Sequence, residues 1–355
     1  MRPALQRVLS EDVLAITQRD LPWEKLAGTR VLVTGAGGFL GGYLTRVLLQ
    51  LHVLGKVSKP VQVIGMVRDV DRSHEALADL TDLPYFTLMQ WNLNAIGVPV
   101  AGDLDYVLHA ASQASPRYYG ADPVGTLLPN TVGTAALLEA LRQSPAPNGF
   151  LFISSSEVYG SVGGIEALSE SSYGQVDPAT VRACYAESKR MGETMCLAWQ
   201  HQFGIPTFIV RPFHTYGPGL RPDDGRVFAD FAFNIVRNEN IVMNSDGSAR
   251  RAFCYASDAV AGFFTVLLNG DSAQAYNVGN PDANLSVMEL AELMVELYPD
   301  KQLSVERRFS AAGAGYISST YSGLIPDVSR LTRLGWSACV SPEVGFRRMI
   351  EAYSV

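Results

Sequence analysis

The short apolar run Arg30-Val31-Leu32-Val33-Thr34 passes directly into Gly35-Ala36-Gly37-Gly38-Phe39-Leu40-Gly41, and helical periodicity follows from Gly41 to Leu54. A strand, a glycine-rich turn and a helix in that order constrain the fold strongly. Glycines at 35, 38 and 41 permit a tight turn, a close approach to a pyrophosphate and close packing of helix on strand. The helix N-terminus then offers unpaired N–H groups and a partial positive charge to phosphates. A glycine triplet alone is weak evidence, but the strand before it and the helix after it supply the required context. Gly35, Gly38, Phe39, Leu40 and Gly41 are therefore expected to bind a dinucleotide.

The rest of the chain extends this unit. Val61–Val67, Leu104–Leu108, Phe150–Ser154 and Thr207–Arg211 read as strands, and Thr131–Leu141 and Arg182–Phe203 read as helices. Strands alternating with helices of this length predict an α/β fold, a Rossmann-type doubly wound parallel sheet covered on both faces. Residues 1–27 read as an N-terminal helical extension that ends near Leu21-Pro22-Trp23. After Pro212 the texture changes: Pro, Gly and Asp cluster up to Gly225, as in a long functional loop, and Ser286-Val-Met-Glu289 has the form of a capping box. A smaller C-terminal α/β substrate domain is expected over the C-terminal edge of the sheet. The expected division assigns residues 28–211 and part of 252–283 to the dinucleotide domain, and residues 212–251 and 284–355 to the substrate domain.

Composition narrows the function classes. Of the 355 residues 47% are apolar and 18% charged, enough for a sizeable core. A net charge of −7 argues against nucleic acid as a partner, so an anionic substrate needs local arginine clusters. Cys184, Cys196, Cys254 and Cys339 are scattered without metal spacing and read as reduced thiols, so no metal is expected. No secretory leader or membrane span is evident, which predicts a cytoplasmic location.

Tyr185-Ala186-Glu187-Ser188-Lys189 places a phenol and an ammonium on one helix face. Lys189 is expected to lower the Tyr185 pKa by stabilising the phenolate. A tyrosine so tuned exchanges a proton with a carbinol or carbonyl oxygen while hydride moves to or from a nicotinamide. Ser154-Ser155-Ser156-Glu157-Val158-Tyr159-Gly160 closes a predicted strand at the sheet's functional edge. There Ser155 can share the substrate oxygen, and Glu157 can act as a base or orient the substrate. The end of the second strand, Val67-Arg68-Asp69, gives a split reading of the cofactor: Arg68 leans toward the 2′-phosphate of NADP, whereas Asp69 or Asp71 can serve the ribose of NAD.

In order and wording these motifs resemble the extended short-chain dehydrogenase/reductase family that acts on nucleotide-sugars, from about Thr29 to near the end of the chain. The resemblance also covers His109-Ala110-Ala111, Asn130-Thr131-Val132-Gly133-Thr134, Arg211-Pro212-Phe213, Tyr216-Gly217-Pro218, Arg251-Ala252-Phe253 and Tyr276-Asn277-Val278-Gly279-Asn280. Within the family the chain looks most like UDP-glucuronate decarboxylases, through His109–Pro116, Arg182–Tyr185, Gly192–Cys196 and Asp224–Val227. The resemblance implies a catalytic set of Ser155, Glu157, Tyr185 and Lys189. It implies that Ala110, Ala111 and Pro212 line the cofactor, that Ser156 and His214 face the sugar nucleotide, and that Arg226 and Arg251 pair with its diphosphate. A homodimer through helices near 131–142 and 182–203 is also implied.

Three departures bear on the reaction. Ser155 stands where the family often has Thr, and keeps the hydroxyl. Ser156 replaces the Asp that 4,6-dehydratases place beside their Glu, which counts against dehydration. His214 replaces the Asn whose amide normally bonds the substrate. With Arg68, these features rank NADPH-dependent reduction of a dTDP-4-keto-6-deoxyhexose slightly ahead of an NAD-dependent epimerase or UDP-glucuronate decarboxylase that recycles its own hydride. A third reading, a non-catalytic dinucleotide sensor, is opposed by the presence of both Tyr185 and Lys189.

Overall fold

The computed structural model describes residues 2–94, 102–163, 167–308 and 325–354. Seven strands form the main sheet: β1 Arg30–Thr34, β2 Gln62–Val67, β3 Phe86–Gln90, β4 Tyr106–His109, β5 Gly149–Ile153, β6 Thr207–Pro212 and β7 Gln274–Val278. Their order is β7-β6-β5-β4-β1-β2-β3, and every neighbouring pair is parallel. The chain leaves β1 toward β2 on one side and later returns to β4 on the other. The strand order therefore reverses between β1 and β4, and a crevice opens at their carboxyl ends, where doubly wound sheets bind ligands.

The buried strands carry the apolar, β-branched sequences that a sheet covered on both faces requires. One face of the sheet packs beneath α2 (Phe39–Val53) and a helix at Ala256–Asn269, burying Val31, Val33, Leu44, Val47, Val260 and Phe264. The other lies against helices at Thr134–Arg142 and Ala183–Phe203, burying Leu32, Val107, Leu137, Phe150 and Phe152. A third cluster beyond the strand ends is rich in aromatic rings, including Tyr216 stacked on Phe346 at 3.8 Å between centroids. It unites the helices Val227–Arg237, Val287–Glu296 and Pro342–Glu351. Short pairings serve this side: Arg250–Ala252 runs antiparallel to Asn284–Ser286, and Ile241–Met243 parallel to Val305–Arg307. Among the described residues no helix is long and apolar enough to cross a membrane.

The structure departs from the sequence expectations in places. β3 and β7 were not anticipated as strands. β3 is an edge strand with only Phe86 fully buried, so its residues carry little apolar signal. The helix expected to begin at Thr131 opens with a wide turn at Pro129–Gly133 and becomes regular only from Thr134. The first helix, α1, spans Pro3–Thr17 and stops before the Leu21-Pro22-Trp23 breaker, with a separate helical turn at Trp23–Leu26. The Ser286 capping box forms as expected: the Ser286 hydroxyl accepts from Glu289 N at 3.1 Å, and the Glu289 carboxylate accepts from Ser286 N at 2.8 Å.

Candidate active site

The crevice is a cleft of about 1390 Å³. Its cofactor side begins with Gly35, which adopts φ +68°, a conformation that costs glycine nothing. A Cβ at Gly41 would fall 2.1 Å from the Gly35 carbonyl oxygen, so helix and turn pack as closely as they do only because residue 41 is glycine. Gly38 is the N-cap of α2, and Phe39 and Leu40 open the helix along the cleft wall.

A buried polar chain fixes the ends of β1 and β4. His109 Nε2 lies 3.0 Å from the Pro129 carbonyl oxygen, which can only accept, so that nitrogen carries the proton. Nδ1 then accepts from the Thr34 hydroxyl at 2.8 Å. The same Thr34 oxygen accepts from Ala110 N (3.1 Å) and Ala111 N (3.0 Å), setting both residues against the glycine turn. Burial pulls the His109 pKa down to about 3, and the charge of Lys189 adds to it, so the ring is neutral.

At the cofactor-selecting corner, Arg68 is exposed and Asp69 caps the next short helix, its carboxylate accepting from Arg72 N at 3.0 Å. Both line the cleft, as do Ala110, Ala111 and Pro212.

Tyr185 and Lys189 lie one turn apart on the helix Ala183–Phe203, both buried. Gly192 brings this helix close to β5: a Cβ there would meet the Phe152 ring at 2.2 Å. The Tyr185 ring stacks on Tyr119 at 4.9 Å. Lys189 Nζ donates to the Ile153 carbonyl at 2.6 Å and sits 4.9 Å from the Phe152 ring centre. The Ser155 hydroxyl accepts from Glu157 N at 3.2 Å and favours the ionised form of the Tyr185 phenol. Glu157 pairs with Arg182 at 2.8 Å, and the Arg182 guanidinium covers the Tyr119 ring at 4.6 Å. Catalytic candidates from two strand-to-helix regions thus converge at one edge of the sheet.

The expected tuning of the phenol by Lys189 is not what sets its pKa. Burial, reinforced by the Glu157 carboxylate, raises Tyr185 well above its usual value, while Ser155, Arg226 and Arg182 oppose it. Lys189 is itself pushed down to about 7 by burial, with Glu193 opposing. The physical reason is desolvation: an ammonium held between an aromatic ring and a backbone carbonyl loses more hydration than those contacts restore.

On the substrate side, Arg226 is the N-cap of the helix Val227–Arg237 and forms a bidentate pair with Asp224, at 2.5 and 3.0 Å. Arg251, on the short strand Arg250–Ala252, donates to the Arg250 carbonyl at 2.7 Å. His214 lies beside Phe253, ring centres 6.0 Å apart, and its buried Nδ1 has no hydrogen-bond partner among the described residues. Burial lowers the His214 pKa to about 3, with Arg251 and Arg226 contributing. Ser156, His214, Arg226 and Arg251 all border the cleft.

Sequence reasoning missed the partners that hold these groups. Tyr119 and Arg182 brace Tyr185 and Glu157. Glu193 accepts from the Ser154 hydroxyl at 2.5 Å and takes Arg211 as a bidentate partner, at 2.9 and 2.6 Å. Ser115 donates to the Asp224 carbonyl, and Arg117 binds Asp223. Only Glu193 carried a local signal, its spacing of one turn beyond Lys189 on the same helix face.

Against known proteins, residues 31–279 match the family model described as NAD dependent epimerase/dehydratase family. UDP-glucuronic acid decarboxylase 6 of Arabidopsis thaliana is 35% identical over 277 residues, covering 78% of this chain and 76% of its own. UDP-glucuronic acid decarboxylase 1 of Danio rerio is 30% identical over 366 aligned positions, covering 99% of this chain and 79% of its own. Among solved structures, UDP-glucuronic acid 4-epimerase of Bacillus cereus, bound to UDP-glucuronic acid and NAD, superposes with a TM-score of 0.73 at 23% identity. That match covers 91% of this chain and 98% of the other. An epimerase of Methanothermobacter thermautotrophicus reaches a TM-score of 0.76 at 19% identity, covering 94% of each chain. These two structures bear on the fold alone.

Proposed function

Because the chain belongs to the NAD dependent epimerase/dehydratase family, we propose that it oxidises and re-reduces a nucleotide-sugar at C4 with hydride recycling, and that the net reaction is decarboxylation of UDP-glucuronate. The order of the two leading readings is thereby reversed relative to the sequence expectation, since both relatives named above are decarboxylases rather than reductases.

The cradle suits the cofactor: Gly35 and Gly41 leave no room for side chains, and the N-terminus of α2 borders the cleft, an end that would favour a pyrophosphate. When bound, the nicotinamide supplies a reversible hydride acceptor for C4. Tyr185 removes the C4 hydroxyl proton, and Ser155 holds the same oxygen as it becomes a carbonyl. The high pKa of the buried phenol in the protein alone marks it as protonated at rest. For the proton to leave C4 the phenol must first ionise, and the groups on this side that favour the phenolate are the Ser155 hydroxyl and the Arg226 and Arg182 charges. The C4 ketone then lies β to the carboxylate, so loss of CO2 leaves an enolate that must take a proton at C5. Glu157, anchored by Arg182 at the same edge, is the second group able to handle that proton. Arg226 and Arg251 bind the diphosphate, a role suited to the guanidinium fork.

The observation that carries this reading is the Glu157–Arg182 pair beside Tyr185, because net reduction needs only one proton-handling group. Incubation of the protein with UDP-glucuronate and a trace of NAD should release CO2 and leave a UDP-pentose. A product of unchanged mass and inverted C4 would make it an epimerase. Consumption of 4-keto sugars only in proportion to added NADPH would instead support the second reading, the reductase, for which exposed Arg68 directly after β2 is the specific observation.

A further inference from the structure

The loop that delivers Arg226 to the cleft is pinned at both ends, and one pin comes from far along the chain. The Tyr353 phenol, nearly buried, donates to the Leu220 carbonyl at 2.6 Å and accepts from Gly219 N at 2.9 Å. At this point the loop needs help. Gly219 has φ +95° and Gly225 φ +82°, so the segment between them is flanked by residues whose backbone has the widest freedom. The other end is held by Ser115 on the Asp224 carbonyl and by Arg117 on Asp223. Asp224 in turn grips Arg226.

Tyr353 is itself fixed. Its ring meets Phe233 edge-on at 4.9 Å, and Arg2, ahead of α1, donates to its carbonyl at 3.0 Å. The same helix α1 sends Asp12 into a buried junction, where its carboxylate accepts from Tyr43 of α2 (2.7 Å), Tyr255 (2.9 Å) and Arg348 (2.8 Å). Leu5 and Leu9 of α1 border the cleft. The N-terminal extension is therefore tied both to the cofactor helix and to the residues that hold the loop.

We propose that Tyr353 is a positioning residue for nucleotide-sugar binding, which acts through the Gly219–Leu220 backbone to preset Arg226 for the diphosphate and is braced by the N-terminal extension through Arg2. This rests on the reading of Arg226 as a diphosphate ligand. A phenol with two backbone hydrogen bonds at a glycine-flanked loop lowers the number of conformations the loop must give up on binding. Its removal should cost affinity for the nucleotide and leave the cofactor untouched.

The test is calorimetric titration of the full-length protein with UDP, dTDP and NAD, without turnover. Tyr353→Phe, which deletes only the hydroxyl, should weaken binding of the preferred nucleoside diphosphate about tenfold. Its NAD affinity should match the wild type. Arg226→Met should also weaken the nucleotide, and the double variant should be no weaker than Arg226→Met alone, because the hydroxyl acts through that arginine. Wild-type nucleotide affinity in Tyr353→Phe, or losses that add in full, would overturn the inference while leaving the proposed function standing. A wild type that binds neither nucleotide would overturn both. Should Tyr353→Phe fail to fold, Arg2→Ala removes only the outer brace; it should weaken the nucleotide about twofold, and an unchanged affinity would count against the inference.

Discussion

The two walls of the cleft are built on different physical terms. The cofactor wall is made of backbone and neutral buried groups: the Gly35 and Gly41 contacts, the Thr34–His109 chain, and the amides of Ala110 and Ala111. The substrate wall is made of charge held by charge: Arg226 on Asp224, Arg117 on Asp223, Glu157 on Arg182. The first kind needs close packing and is set by a few neighbouring residues. The second needs partners brought from loops far apart in the chain, each of which must give up a partner or share it when an anionic ligand arrives. A wall of close-packed backbone and buried groups would suit the proposed cofactor; a wall of exchangeable ion pairs would suit a proposed substrate that must enter and leave.

Tyr185 lies on the seam between the walls, and its removal should produce the largest effect. Tyr185→Phe should lower turnover about a thousandfold while nucleotide and cofactor affinities stay within a few-fold of wild type. Steady-state rates with calorimetric binding decide it; near-normal turnover would mean that the proton is handled elsewhere. Glu157→Gln comes next. It should lower CO2 release from UDP-glucuronate about a hundredfold, yet leave the transient appearance of NADH, read at its absorbance band, largely intact. Loss of both signals together would place Glu157 in the oxidation step and blur the division of labour between Tyr185 and Glu157.

The same contrast explains what could be read from the sequence. The glycine turn of the cofactor wall was legible because its determinants are contiguous: the strand Arg30–Thr34, Gly35 to Gly41 and the helix from Phe39 follow one another in the chain. Tyr185 and Lys189 were legible for the same reason, being one helical turn apart. Edge strand β3 was not, because it buries little. Tyr119, Arg182, Ser115 and Tyr353 were not, because each acts on a residue it meets only after folding, and an arginine or tyrosine in a sequence gives no sign of its partner. The inverted expectation for Tyr185 has the same origin. Helical spacing places Lys189 near the phenol, but it does not tell how much water either group loses.

Lys189 offers a test of whether the cofactor wall is neutral at rest. Its pKa in the folded protein is lowered from 10.5 to about 7, so between these values the unfolded chain binds the proton and the folded protein does not. Stability from this group therefore rises with pH across that window, and below about 7 the folded state carries the full cost of a buried ammonium. In the cofactor-free protein, Lys189→Met should raise Tm by several kelvin at pH 6 relative to wild type. The gain should shrink steadily as pH rises from 7 toward 10. A gain independent of pH would show that the lysine is charged throughout, and that the wall contains a cation after all.

The smallest effect is expected at Arg68, and it bears on which reaction the comparison describes. Arg68 is exposed and beyond the last buried residue of β2, where solvent screens any pairing it makes. If the enzyme recycles its own hydride, the cofactor is NAD, and Arg68→Ala should change NAD affinity by less than about threefold. Asp69, which already spends one oxygen capping the helix that follows, remains beside the same corner for a ribose hydroxyl. A tenfold or larger fall in NADPH affinity, with NAD binding weak in both proteins, would reverse the ranking. The cofactor wall would then hold a charge pair of its own, built for a cofactor that is exchanged at every turnover. The cleft would belong to a reductase whose two ligands both come and go.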